Sequence, residues 1–237
     1  MGDGVASRDE KSPVGRRVFL GLVALGTAGV VFGAKVQNFV GSKLGSGVAS
    51  LLPGGDHFRI YSITGSYPLI SSEEYRLKIH GLVERPTTLT FADLTAMPSI
   101  ELDATFQCVT GWRVPNVHWK GVQLRRILEM VGAHQDAVAV NFESYDGADS
   151  DSLSLAQAYT SDVIVAYEMY GQTVTREHGG PVRLLVPQMY GYKSLKWLSS
   201  VEVMDKQLLG FWEQNGYPVD GWLDGSTGLT NPDPRLT

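Results

Sequence analysis

The sequence predicts a β-rich α+β domain preceded by an N-terminal signal or anchor helix. Three observations carry this reading. Short apolar or alternating runs recur along the chain between Gly and Pro punctuation, with few helical patterns. Residues 18–34 hold no charge and follow a basic pair, Arg16-Arg17. The 237 residues are 43% hydrophobic, enough to bury one large core or a domain with an appendage.

Residues 1–17 are polar, Val18 to Ala34 are rich in Val, Leu, Gly and Ala, and Lys35 closes the run. A basic flank before a short apolar stretch is the pattern of an export signal or a short membrane anchor. Arg16-Arg17-Val18-Phe19-Leu20 resembles the twin-arginine export signal. We therefore expect residues 1–36 to be a signal or anchor and residues 37–56, dominated by Gly, Ser and other small residues, to be a flexible linker. Residues 57–237 should form an extracytoplasmic domain.

Within that domain Tyr75, Leu77 and Ile79 alternate with Arg76, Lys78 and His80, the period of a half-buried strand. Thr88 to Phe91 predicts a short strand before a turn near Asp93. Glu101 to Gln107 reads as extended, with turns expected at Gly111 and Pro115. Leu124, Ile127, Leu128 and Val131 fall at 0, 3, 4 and 7, one face of a helix over residues 123–131, with Gly132 as its stop. Ala137–Phe142, Val163–Met169, Val182–Val186 and Leu195–Val203 read as strands. Leu153–Ala158 predicts a short helix, Tyr145–Asp149 a loop and Tyr170-Gly171-Gln172 a turn.

Composition excludes several chemistries. Twenty basic against 25 acidic side chains give a net charge of −5, which argues against a nucleic-acid surface. Cys108 is the sole cysteine, so no intrachain disulfide, Cys₄ metal site or Cys-x-x-Cys-His haem attachment can form. That thiol, in Phe106-Gln107-Cys108-Val109-Thr110-Gly111-Trp112, is either a small buried hydrophobe or a soft thiolate that ligates a metal or attacks a substrate. Further along, His178-Gly179-Gly180-Pro181-Val182-Arg183 places an imidazole and a guanidinium around a tight turn. Tyr190 to Trp197 then offers two ammonium groups, Lys193 and Lys196, with the Ser194 hydroxyl. Together these suit a large anionic cofactor, although a solvated hairpin with scattered cations has the same spacing.

These three segments, in this order, resemble the molybdopterin-binding domain of the sulfite oxidase family over residues 57–220. The short bacterial members, including periplasmic methionine-sulfoxide-reducing molybdoenzymes, are the most similar. The resemblance implies that domain's mixed fold and a Mo-molybdopterin cofactor, with Cys108 as the sole protein ligand to molybdenum. It implies cofactor contacts from His178, Arg183, Ser194 and Lys196, from Asp146 and, in Ile63-Thr64-Gly65-Ser66, from Thr64. Tyr217 falls where sulfite oxidases carry an active-site tyrosine, and Arg113 follows the cysteine where they carry a pair of arginines. Both would steady a substrate oxygen. The implied activity is oxygen-atom transfer coupled to two-electron redox at molybdenum, either S-oxide reduction or sulfur-compound oxidation. The redox partner would be a membrane haem protein or cytochrome, and the domain would act as a monomer. One departure bears on the substrate: Tyr61 to Pro68 lacks the cation that faces sulfite in sulfite oxidases, so a small dianion is expected to bind poorly. Two other readings stay open on the residues alone. One is an anchored, non-catalytic binding module with the same fold. The other is an enzyme with Cys108 as nucleophile and His178 as base.

Overall fold

A computed structural model describes residues 58–224, and the expected signal or anchor, the linker and the last 13 residues of the chain lie outside that range. Ten strands form two sheets. The first sheet has the order β2-β1-β10-β5-β6, built from β1 (Arg76–Gly81), β2 (Thr87–Thr90), β5 (Ala139–Ser144), β6 (Ser150–Ser154) and β10 (Leu198–Met204). It is mixed, because β1 runs parallel to β10 with Lys78 opposite Ser200, while its other pairs are antiparallel. The second sheet is antiparallel, in the order β3-β4-β7-β8 with β9 also on β7. Its strands are β3 (Ile100–Gln107), β4 (Arg113–Gln123), β7 (Ile164–Met169), β8 (Gln172–Thr173) and β9 (Arg183–Leu185). The helices are short: α1 (Phe91–Ala96), α2 (Leu124–Val131), α3 (Leu155–Ala158) and α4 (Phe211–Gln214). Among the described residues no helix is long and apolar enough to cross a membrane.

The alternation read in β1 is the burial pattern: Tyr75, Leu77 and Ile79 are fully buried. The four apolar residues of α2 are buried too, at roughly 1.5–3 kcal/mol of transfer free energy each. Gly132 ends this helix in the left-handed conformation, as expected of a C-terminal glycine. Strand β7 is buried on both faces. Val165 and Tyr167 enter the larger core with β1, α2 and β10, whereas Ile164, Ala166 and Met169 enter a second apolar cluster with Trp112, Val117 and Trp119. Phe58, Tyr61, Phe106 and Cys108 pack on that second cluster. Cys108 and the rings around it therefore lie on the side of the second sheet that faces away from the larger core.

Three local expectations are corrected. The turn near Asp93 is helix α1. Thr90 accepts from the Asp93 amide while the Asp93 carboxylate accepts from the Thr90 amide, a reciprocal cap that starts a helix where a turn residue was read. Pro115 does not turn the chain but lies inside β4, next to Asn116 at φ 53° and opposite a register shift between Ala104 and Phe106; a bulge is where a strand tolerates proline. The helix expected from Leu153 begins only at Leu155. Residues 150–154 pair with β5, and Ser154 caps α3 through the Gln157 amide.

Candidate functional site

Cys108 lies in the turn that joins β3 to β4. Its amide donates to the Trp112 carbonyl at 2.9 Å, and its carbonyl accepts from the Gly111 amide at 3.0 Å. Gly111 sits at φ 98°, a conformation that costs glycine little. The thiol opens into a cavity of roughly 1050 Å³ including its open mouth, lined by residues 58–63, the Cys108 turn, Asp146, Asp149, residues 177–178, Arg183, the 191–197 loop, Trp212 and Tyr217. Burial raises the Cys108 thiol above its ordinary value, and a hydrogen bond from the Thr110 hydroxyl to Sγ at 3.2 Å opposes that.

The same cavity is also lined by positive charge. Arg183 is 3% exposed on β9, facing the same side as Leu185. Its guanidinium donates to the carbonyls of His178 and Ser194, each at 2.7 Å, and lies over the rings of Phe106 and Trp119 at 5.2 and 5.4 Å. Burial lowers its pKa to about 9. Lys196 donates to the Tyr61 carbonyl and stands 4.3 Å over the Trp197 ring. Burial, with Arg183 nearby, lowers it to about 7, against the pull of Asp149 and Asp146. Among the described residues, neither cation forms an ion pair with a carboxylate. His178 is lowered by burial and then by Arg183 and Lys196, and its ring meets Phe58 edge-on at 4.7 Å. The glycine turn lets these groups converge: a Cβ at Gly179 would sit 2.6 Å from Lys196 Cβ, and one at Gly191 would sit 2.6 Å from the Phe106 ring. Ser194 Oγ accepts from the Val186 amide at 2.9 Å, which leaves its proton to donate.

Seven of the nine expected site residues thus line one cavity: Cys108, Asp146, His178, Arg183, Ser194, Lys196 and Tyr217. Tyr217 is held between Tyr192 and Trp212, ring centroids 5.2 Å from each. Burial and then Cys108 raise its phenol to about 12, so it is a proton donor at neutral pH. Asp146 Oδ1 is occupied within its own loop, accepting from the Ser144 hydroxyl at 2.5 Å and the Ala148 amide at 3.2 Å. Thr64 and Arg113 do not line the cavity and are exposed. Thr64 spends its hydroxyl on Ser62 and Ser66, while Arg113 points outward from β4, one residue past the buried Trp112. Lys193, read as a second ammonium for the anion, turns away from the cavity into a buried ion cluster with Asp151 and Glu213.

Sequence reasoning missed Arg59, Tyr61 and Asp149. Arg59 lies just before the stretch read as lacking a cation. It lines the cavity, and its charge acts on Cys108, so the site does present a guanidinium to a small anion. Tyr61 adds a second phenol near the thiol, raised by burial and then by Cys108. Asp149 has a buried oxygen without a partner, and burial raises its carboxyl to about 7. No spacing signal marks any of the three; the irregular path of residues 58–63 and the β5–β6 turn bring them in.

One soft sulfur shares a roomy cavity with two cations that form no ion pair among the described residues and with a free hydroxyl proton. This donor set fits a metal held with a phosphate-bearing group. A family model described as the oxidoreductase molybdopterin binding domain matches residues 64–212. The chain is 34% identical over 170 residues to the uncharacterized oxidoreductase YuiH of Bacillus subtilis, covering 68% of this chain and 85% of that protein. It is 31% identical over 190 residues to the sulfite oxidase of Arabidopsis thaliana, covering 65% of this chain and 48% of that enzyme. Among solved structures it resembles the sulfane dehydrogenase SoxCD from Paracoccus pantotrophus, with a TM-score of 0.57 and 26% identity, covering 61% of this chain and 41% of that one. It therefore spans under half the length of the last two. Matched over most of its described length, this chain belongs to the sulfite oxidase family of molybdopterin-binding oxidoreductases, and Mo-molybdopterin is its cofactor.

Proposed function

We propose that the protein is an extracytoplasmic enzyme that moves an oxygen atom to or from a sulfur compound, either reducing an S-oxide or oxidising a reduced sulfur species. The observation that carries this reading is the gathering of Cys108, Arg183 and Lys196 in one cavity, with neither cation in an ion pair among the described residues. When bound, the cofactor supplies two-electron redox chemistry and the oxygen-accepting metal.

The chain's own residues supply the rest. Cys108 would ligate the metal as thiolate. Arg183, Lys196 and Ser194 would hold the phosphate, and His178 and Asp146 the pterin edge. Aromatic rings at Phe58, Phe106, Trp112 and Trp212 exclude water from the reacting atoms. Tyr217, kept neutral, donates a hydrogen bond to the substrate oxygen. Arg59 at the mouth supports a substrate oxygen that carries negative charge, which keeps both directions of transfer open. Electrons would pass to or from a haem protein or cytochrome; the one cysteine in this sequence cannot hold an iron–sulfur cluster by itself.

The test is turnover by protein exported from a molybdenum-supplied host. Sulfite is offered with ferricyanide, and methionine sulfoxide or dimethyl sulfoxide with reduced viologen. Turnover of either class that vanishes in a tungsten-grown preparation supports the reading. Stoichiometric molybdenum with no oxygen transfer on either class contradicts it. For the export route, Arg16-Arg17→Lys-Lys should leave the protein in the cytoplasm, and normal export of that variant would overturn the twin-arginine assignment.

A further inference from the structure

The turn that presents Cys108 also returns a hydroxyl to its sulfur. Hydrogen bonds from Cys108 to Trp112 and from Gly111 to Cys108 close the turn, and Gly111 takes the left-handed conformation that lets it tighten. Residue 110 is thereby folded back over residue 108, and Thr110 Oγ1 donates to Cys108 Sγ at 3.2 Å. A neutral thiol accepts such a hydrogen bond weakly and gains little from it; a thiolate gains much. The donor is a side-chain hydroxyl, so a substitution can remove it and leave the turn's backbone in place, and branching at Cβ restricts its rotamers.

A donor to a coordinating sulfur withdraws electron density from it. The sulfur then gives less charge to the metal, and the reduced metal is stabilised relative to the oxidised one. Hydrogen bonding around a cysteine sulfur tunes the potential of other metal–thiolate centres in this way. We propose that Thr110 is a positioning residue that sets the donor strength of Cys108, and through it the reduction potential of the molybdenum. This rests on the reading that Cys108 is the metal ligand, and it adds to that reading a residue that never touches the metal.

The test compares holoenzymes of the wild type, Thr110→Val and Thr110→Ser. Valine keeps the shape and removes the donor, and serine keeps the donor. Metal content is measured first, then potentiometric titrations are followed by the Mo(V) electron paramagnetic resonance signal. Thr110→Val should retain molybdenum, shift its midpoint to lower potential and alter the Mo(V) g-values, while Thr110→Ser stays close to wild type. Identical midpoints and g-values in Thr110→Val and wild type, with metal in both, would overturn the proposal and leave Cys108 ligation standing. Loss of metal in Thr110→Val but not in Thr110→Ser would assign the hydroxyl to retention and overturn the tuning role. Wild-type protein without molybdenum would instead defeat the ligation reading itself.

Discussion

Lys193 and Lys196 stand three residues apart on one loop, and the protein treats them in opposite ways. Lys193 is 1% exposed and paired with two acids: it meets the Asp151 carboxyl, Glu213 Oε1 at 2.7 Å and the Ser152 carbonyl at 2.8 Å. Burial would lower its pKa, but the two acids outweigh burial and the net shift is upward. Lys196 meets a carbonyl and a ring, and burial lowers it. A charge withdrawn from water must find an opposite charge or give up its proton. The first lysine found its partners within the fold, tying β6 and α4 to the cavity loop. The second feels Asp149 and Asp146 but pairs with neither, and like Arg183 it stays available to an anion in the cavity. The contrast separates a charge that the fold has paired from one that it has not.

The largest expected effect sharpens that contrast. Lys193→Met leaves two buried carboxylates uncompensated and should cost about 3–5 kcal/mol of stability, read by chemical denaturation. Adding Asp151→Leu and Glu213→Leu should recover most of that loss, because replacing a whole buried ion cluster with apolar side chains is far cheaper than breaking it. A single variant as stable as wild type would break the comparison. Next, Lys196→Met should leave the cofactor-free protein as stable as wild type or more so, yet release molybdopterin readily. Arg183→Ala should weaken cofactor retention as well, by about 10- to 100-fold if it acts like the supporting partners of other metal sites; unchanged molybdenum content would count against its role.

A pH series tests Lys196 further. Its folded value is near 7 against 10.5 for an ordinary lysine. Between these values the unfolded chain binds more protons than the folded one, so this group makes the cofactor-free protein more stable as pH rises from about 7 to about 10.5. Lys196→Met should flatten the rise. A bound phosphate should reverse the trend, since deprotonation of Lys196 then weakens its hold and the cofactor is lost more readily at alkaline pH. The smallest effects belong to Thr64→Ala and Arg113→Ala. Both side chains are exposed and outside the cavity, so stability should change by no more than about 0.5 kcal/mol. A loss of metal or activity in either would show that the cavity wall extends beyond the residues that line it here.

Much of this was legible in the sequence where periodicity or a motif encodes it. The alternation at Tyr75, Leu77 and Ile79, the helical face from Leu124 to Val131, and the convergence of Cys108, His178, Arg183, Ser194 and Lys196 appear as read. What escaped depends on long-range geometry. Lys193 and Lys196 look alike in sequence, and only the approach of Asp151 and Glu213, 42 and 20 residues away, tells them apart. Pro115 reads as a turn until its partner strand shows a bulge. Thr90 reads as part of a strand and Asp93 as a turn until their reciprocal hydrogen bonds start a helix. Arg59 carries no motif and enters the site because residues 58–63 are laid across it, pinned where Lys196 meets the Tyr61 carbonyl.

The central claim is that Cys108 donates its sulfur to the molybdenum. Molybdenum K-edge X-ray absorption on the molybdenum-loaded wild-type protein and on Cys108→Ser tests it directly. The wild type should show one sulfur scatterer beyond the dithiolene pair of the pterin, and the variant should lack it. The same sulfur count in both proteins, with molybdenum bound in each, would contradict the account.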